Sequence, residues 1–112
     1  MTGGPVKTHF DAFMVKDGRQ FITDADSPYA MDLTDRVVEC DSTDAAITVT
    51  LPNVACAAGL IFAIYAQTFG SNITIQDQDE SEDWTDVTLN GVDDGELLYS
   101  DGRRWWRLAS RT

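Results

Sequence analysis

The stretch Ala45-Ala-Ile-Thr-Val-Thr-Leu-Pro52, with Leu60-Ile-Phe-Ala-Ile-Tyr-Ala66 and Asn72-Ile-Thr-Ile-Gln76 after it, decides the fold. In its first part Ala45, Ile47, Val49 and Leu51 alternate with Ala46, Thr48 and Thr50. That is the period of a strand with one dry face and one wet face. Pro52 removes a backbone donor and ends the ladder. Leu60 to Ala66 is apolar on both faces, the pattern of a central strand covered on each side. A helix competes for this short run, but branched and aromatic side chains between Gly59 and Gly70 favour a strand. Beyond Gly70, Ile73 and Ile75 alternate again with Asn72, Thr74 and Gln76.

Working outward, Arg36 to Asp41 reads as a strand and Asp41-Ser-Thr-Asp44 as the turn after it. Val87 and Leu89 mark a short strand, followed by turn signals at Asn90-Gly91 and Asp93-Asp94-Gly95. Leu97-Leu98-Tyr99 then pairs across Ser100-Asp-Gly102 with Arg104 to Ala109. Turn signals recur about every ten residues and no segment carries a helical period, which predicts an all-β protein, an antiparallel β-sandwich or barrel-like domain. Residues 36–112 form this module, and residues 1–35 read as an extended N-terminal arm. Within the arm, Val6 to Thr23 has hairpin character around Asp17-Gly18, and residues 24–35 have loop composition. Adjacent Trp105 and Trp106 must point to opposite faces of their strand, one into the core with Leu60, Phe62 or Ile64. The other belongs under the arm or on a surface that another chain covers.

The chain has 112 residues, the size of one domain with one core. No apolar run approaches the ~20 residues that cross a bilayer, so no membrane partner is expected. Met-Thr-Gly-Gly-Pro5 is not a basic region followed by an apolar run, so synthesis in a cytoplasm is expected. The formal net charge of −11 argues against nucleic acid as a direct partner. Its distribution is informative, because residues 41–102 contain neither Lys nor Arg while Arg103, Arg104, Arg107 and Arg111 crowd the C-terminal end. This predicts a solvated acidic face and a separate docking face.

Tests for chemistry are negative. Cys40 and Cys56 are too few for a disulfide framework or a zinc site and read as small buried hydrophobes. With Asp77 as the first ligand of a calcium loop, Glu82 falls where Gly is required and Thr88 where a bidentate Glu is required. The acidic loop is therefore expected to be solvated charge without a tight metal site. The single histidine, His9, lies outside the regular module, and no Gly-rich phosphate loop is present. No enzyme and no cofactor are expected.

The order Thr48-Val-Thr-Leu-Pro52, Ala57-Ala-Gly59, an apolar strand, Asn72-Ile-Thr-Ile75, Leu89-Asn-Gly91 and Ser100-Asp-Gly102 before Trp resembles a β-module of tailed-bacteriophage virion proteins. Those include head decoration (cement) proteins and tail-fibre segments, and the resemblance spans about residues 36–109. The strand Leu60 to Ala66 departs from that pattern in being apolar on both faces, and the loop after Gln76 is unusually acidic. The resemblance implies a non-enzymatic virion structural protein on the capsid surface, trimeric and bound to the major capsid protein. An arm plus one module, without a shaft, favours head decoration over a tail fibre. The surface that grips the capsid is then expected in the arm (Val6, Phe10, Phe13, Met14) and in the basic end (Arg103, Arg104, Trp105, Trp106, Arg107). An arm of this kind can add a strand to a neighbour's sheet edge. The competing expectation is a tail-fibre or tail-tip module that binds host glycan, with Trp84 as a stacking platform; a small hydrolase is the remaining alternative.

Overall fold

The structure, a computed structural model, describes residues 18–112. It comprises nine strands: β1 (Arg19–Thr23), β2 (Tyr29–Ala30), β3 (Val37–Asp41), β4 (Ile47–Thr50), β5 (Ile61–Thr68), β6 (Ile73–Gln76), β7 (Val87–Leu89), β8 (Gly95–Ser100) and β9 (Trp105–Arg111). A 3-10 turn, Asp24–Asp26, follows β1, and no α-helix occurs among the described residues. The strands form two sandwich-like sheets, one ordered β1-β3-β5-β8-β9 and the other β2-β4-β6-β7. Each of the strands predicted from Arg36 onward is present, and β5 is central in its sheet as its composition required.

The pairing differs from the antiparallel arrangement expected. β1 pairs parallel with β3, β3 with β5, β2 with β4, and β4 with β6. The chain crosses from one sheet to the other after each of these strands, so it winds as a flattened coil. Parallel neighbours need a crossover connection, and here the crossover is a strand of the opposite sheet instead of a helix. Only the C-terminal part reverses direction: β7 returns beside β6, β8 beside β5, and β9 folds back on β8. The sheets are therefore mixed.

The coil also alters the picture of residues 18–35. β1 and β2 are edge strands of the two sheets, and Met31 is buried. The partner of β1 among the described residues is β3, with Phe21 opposite Glu39 and Ile22 opposite Cys40. The other half of the expected hairpin lies outside the described residues.

Inward side chains form one core between the sheets. Ile47, Ile73 and Leu89 stand in register across the smaller sheet, as do Val49, Ile75 and Val87. They meet Val38, Cys40, Phe62, Ile64 and Leu98 of the larger sheet, all buried. Each fully buried aliphatic or aromatic side chain of this kind contributes about 1.5–3 kcal/mol. The corners of the coil are stitched by buried hydroxyls. Ser42 Oγ donates to the Ser71 carbonyl at 2.6 Å, and Ser100 Oγ donates to the Val54 carbonyl at 2.6 Å. Each bond ties one turn of the chain to another, which matters because buried backbone carbonyls need partners.

The acidic loop is more structural than expected. Asp77 is buried and accepts the Asp79 and Ser81 amides at 3.1 and 3.3 Å. Glu80 accepts the Val54 amide at 2.6 Å, which pins the loop to the connection after β4. Cysteine burial also splits: Cys40 is in the core, whereas Cys56 is exposed, and both are free thiols.

Candidate docking face

The two outer faces of the sandwich differ in chemistry. On the smaller sheet, Thr48, Thr74 and Thr88 stand in register, and Gln76 Nε2 donates to Thr50 Oγ1 at 3.0 Å. This is a solvent-compatible surface. On the larger sheet, the outward rows are Arg19–Val37–Ala63–Leu97–Ala109, Phe21–Glu39–Tyr65–Gly95–Arg111 and Ile61–Tyr99–Trp106. Phe21 is 51% exposed, Ile61 46%, Leu97 36%, Trp106 44% and Leu108, at the register shift in β9, 52%. The strand expected to be covered on both sides is covered on its inner side only, and its outer side is part of a bare apolar sheet.

Every cation among the described residues lies on this sheet or at its corners. Arg19 is in β1, Arg36 precedes β3, Arg103 and Arg104 form the β8–β9 turn, and Arg107 and Arg111 are in β9. Arg19 Nε donates to Glu39 Oε2 at 2.7 Å, and this carboxylate holds the guanidinium above its ordinary pKa. The Glu39 residue is only 6% exposed although it sits on the outward row, and its Oε1 has no hydrogen-bond partner. Tyr65 beside it has a phenol pKa raised by burial and by the Glu39 charge. An otherwise apolar sheet face therefore carries one nearly buried carboxylate, held by Arg19 and flanked by the Tyr65 phenol.

The basic end is built on the β8–β9 turn. Asp101 accepts the Arg103 and Arg104 amides at 2.8 and 2.9 Å and the Trp106 indole N–H at 2.9 Å. These donors, the indole first, pull its carboxyl pKa down to about 2. Gly102 closes the turn at φ +95°, in the left-handed region that glycine tolerates. Trp105 turns inward, 3% exposed, and meets Phe62 edge-on with ring centroids 5.7 Å apart. Trp106 turns outward, with the Arg104 guanidinium 4.2 Å from its ring centroid. Arg107 reaches inward and grips Glu96 with two bonds of 2.7 and 2.8 Å.

Of the residues expected to bind a partner, Arg103, Arg104 and Trp106 thus sit together on the surface, while Trp105 is committed to the core and Arg107 mainly to Glu96. Val6, Phe10, Phe13 and Met14 lie outside the described residues. Sequence reading missed Phe21, Glu39, Ile61 and Leu97. Ile61 had a signal in the doubly apolar run of β5, which marks an outer face as well as an inner one; Phe21, Glu39 and Leu97 join it only through the pairing of β1, β3 and β8. No three or more His, Cys, Asp or Glu side chains converge as a metal site among the described residues, and no described helix is long and apolar enough to cross a membrane. Comparison with protein-family models, curated proteins and solved structures finds no match to this chain.

Proposed function

We propose that this chain is a non-enzymatic structural protein of a virus particle, a head decoration protein that assembles as a trimer and binds the major capsid protein. The observation that carries the reading is the bare apolar face of the five-stranded sheet, bordered by the described arginines and opposed by a polar threonine face. Large apolar surface with arginine and tryptophan at its margin is the composition of an interface core with anchors. The order of motifs that resembles phage virion modules points the same way.

Size decides what this face does alone. Five strands at about 4.8 Å spacing and five residues at about 3.3 Å rise give a projected patch of roughly 19 by 16 Å. That is well below the ~800 Å² per partner of a stable protein–protein contact. A second contact is required, and closed symmetry supplies it by repeating a weak contact around an axis. The basic β8–β9 turn and residues 1–17, with Val6, Phe10, Phe13 and Met14, are the remaining surfaces assigned to the shell.

The test has two readouts. Light scattering should give three times the 12.4 kDa chain mass for the native protein, and the monomer mass for Leu97→Asp. Undecorated phage heads should retain the native protein on sedimentation and lose at least tenfold of it when residues 1–17 are deleted. A native monomer that ignores heads refutes the proposal. A tail-fibre or tail-tip module that binds host glycan is the second reading, and a tryptophan-lined cavity at the end of the coil favours it.

A further inference from the structure

The chain has three asparagines, Asn53, Asn72 and Asn90, and only Asn90 precedes a glycine. A glycine amide can close on the preceding side-chain carbonyl because no Cβ obstructs it. At the other two asparagines the structure withholds the reactants. Asn53 Oδ1 accepts the Cys56 amide at 3.1 Å, and the Val54 amide that follows donates to Glu80 Oε1 at 2.6 Å. Asn72 is followed by branched Ile73, which is buried in β6. Asn90, at the corner between β7 and β8, differs from both. It is exposed, its side-chain amide makes no hydrogen bond among the described residues, and the Gly91 N–H has no acceptor there. Both reactants of an intramolecular amide attack are thus free, and they are adjacent.

We propose that Asn90-Gly91 is a self-modification site, at which the folded protein deamidates to an isoaspartyl form. The Gly91 nitrogen attacks Asn90 Cγ. The N–Cγ bond forms, the Cγ–Nδ2 bond breaks, and ammonia leaves with the proton that Gly91 gives up. Water then opens the cyclic imide. Opening at Cγ gives aspartate, whereas opening at the main-chain carbonyl gives isoaspartate, whose backbone runs through the side chain and gains a methylene. Nothing is oxidised or reduced; water enters, ammonia leaves, and a negative charge is added. Asp-Gly pairs reach the same imide by losing water, but Asp94-Gly95 and Asp101-Gly102 are guarded. Asp101 accepts from the Arg103 and Arg104 amides and the Trp106 indole, and the Gly102 amide donates to Ser100 Oγ at 3.1 Å. Asp94 is 5% exposed, and Gly95 stands in the sheet between Tyr65 and Arg111. Asp94 also ties the corner together, accepting the Asn90 amide on Oδ2 at 3.1 Å and donating its own amide to the Gly91 carbonyl at 3.2 Å. An extra backbone atom between residues 90 and 91 puts those bonds out of register, and the new carboxylate repels the Asp94 one. The reaction therefore loosens the corner where the chain passes from the smaller sheet to the larger. It needs no partner, so its outcome is independent of the docking proposal.

The full chain is aged at body temperature in mildly alkaline buffer and followed by peptide mass mapping. A purified isoaspartyl methyltransferase with S-adenosylmethionine reports the isoaspartate. The Asn90 peptide should gain about 1 Da and accept methyl groups. It should do so at least about tenfold faster than the peptides of Asn53 and Asn72. Asp-Gly isomerisation changes no mass, so the two routes are told apart. Gly91→Ala should slow the gain at least about tenfold. The fold tolerates that change, because the added Cβ meets Asp94 Oδ1 at 3.4 Å, an ordinary contact. The isoaspartyl fraction should melt about 4 °C or more below Asn90→Asp, which carries the same charge on an unaltered main chain; equal melting would overturn the loosening of the corner. The site itself is overturned if the folded protein stays unmodified while its guanidinium-unfolded chain reacts, if methyl groups are accepted without the mass gain, or if Gly91→Ala ages as fast as the native chain.

Discussion

Replacing Arg107 by Ala should destabilise the fold far more than its surface position implies. The Glu96 side chain is 0% exposed, whereas Arg107 is 49% exposed, and two hydrogen bonds of 2.7 and 2.8 Å join them. An exposed ion pair is worth about 0–1 kcal/mol, but stripping the partner from a buried one costs about 3–5 kcal/mol. Here the carboxylate is fully dry and the guanidinium half wet, so an intermediate loss of about 2–4 kcal/mol is expected. Against a total of about 5–15 kcal/mol that is a large fraction, and it lowers Tm by roughly 8–20 °C for a domain of this size. Arg107→Lys should recover less than half, because an ammonium cannot reproduce the two-pronged contact. The double replacement Glu96→Leu/Arg107→Leu should be close to neutral, because it removes the charge that needs compensation. Urea unfolding of the four proteins gives the cycle directly. A loss below about 1 kcal/mol for Arg107→Ala, or a double variant no better than the single one, refutes the reasoning.

Three further outcomes follow from the geometry. Of the two thiols, Cys56 should react with a disulfide reagent in the native protein, while Cys40, whose pKa burial pushes up to about 12, should react only after unfolding; equal rates would place Cys40 outside the core. Asp101 has a carboxyl pKa lowered to about 2, so the grip of the β8–β9 turn is complete above the ordinary carboxylate value and is lost as pH falls through about 2. The Trp106 indole N–H resonance should therefore move with a midpoint near pH 2, and a midpoint near 4 would deny the bond to Asp101. At Gly70 an added Cβ would collide with the Thr43 carbonyl oxygen and Cα, so Gly70→Ala should cost at least about 1 kcal/mol by thermal unfolding, and a neutral result would mean that the stacked corners yield easily.

What the sequence made legible was local. Period-2 alternation located β4 and β6, Pro52 marked the end of a ladder, and the adjacent tryptophans divided correctly between core and surface. Pairing was not legible, because alternation tells which face of a strand is dry and says nothing about its neighbour. The turns of the coil are also unequal: Arg19 matches Val37, but Val37 matches Ala63, so no fixed repeat is visible. β1 was read as half of a hairpin because Asp17-Gly18 is a strong turn signal, whereas its described partner is the parallel strand β3. The apolar outer side of β5 was visible as composition. Its meaning was not, since an apolar strand reads the same whether a layer of the same chain or another molecule covers it.

The coil explains how so small a domain keeps two unlike surfaces apart. Each turn contributes one strand to each sheet, so alternate strands write to opposite faces, and residues close in sequence end up on opposite sides of the molecule. Val37, Ala63 and Leu97 fall in one outward row, while Thr48, Thr74 and Thr88 fall in the other. The long stretch without Lys or Arg runs through both sheets, yet the described cations all return to the larger one through β1, the residue before β3, and the β8–β9 hairpin. Charge thus follows topology and not position along the chain. The returning cations do not leave that face uniformly apolar: Arg19 holds the 6% exposed Glu39 carboxylate at 2.7 Å, one ion pair set among Val37, Ala63 and Leu97 because β1 lies beside β3 in the sheet.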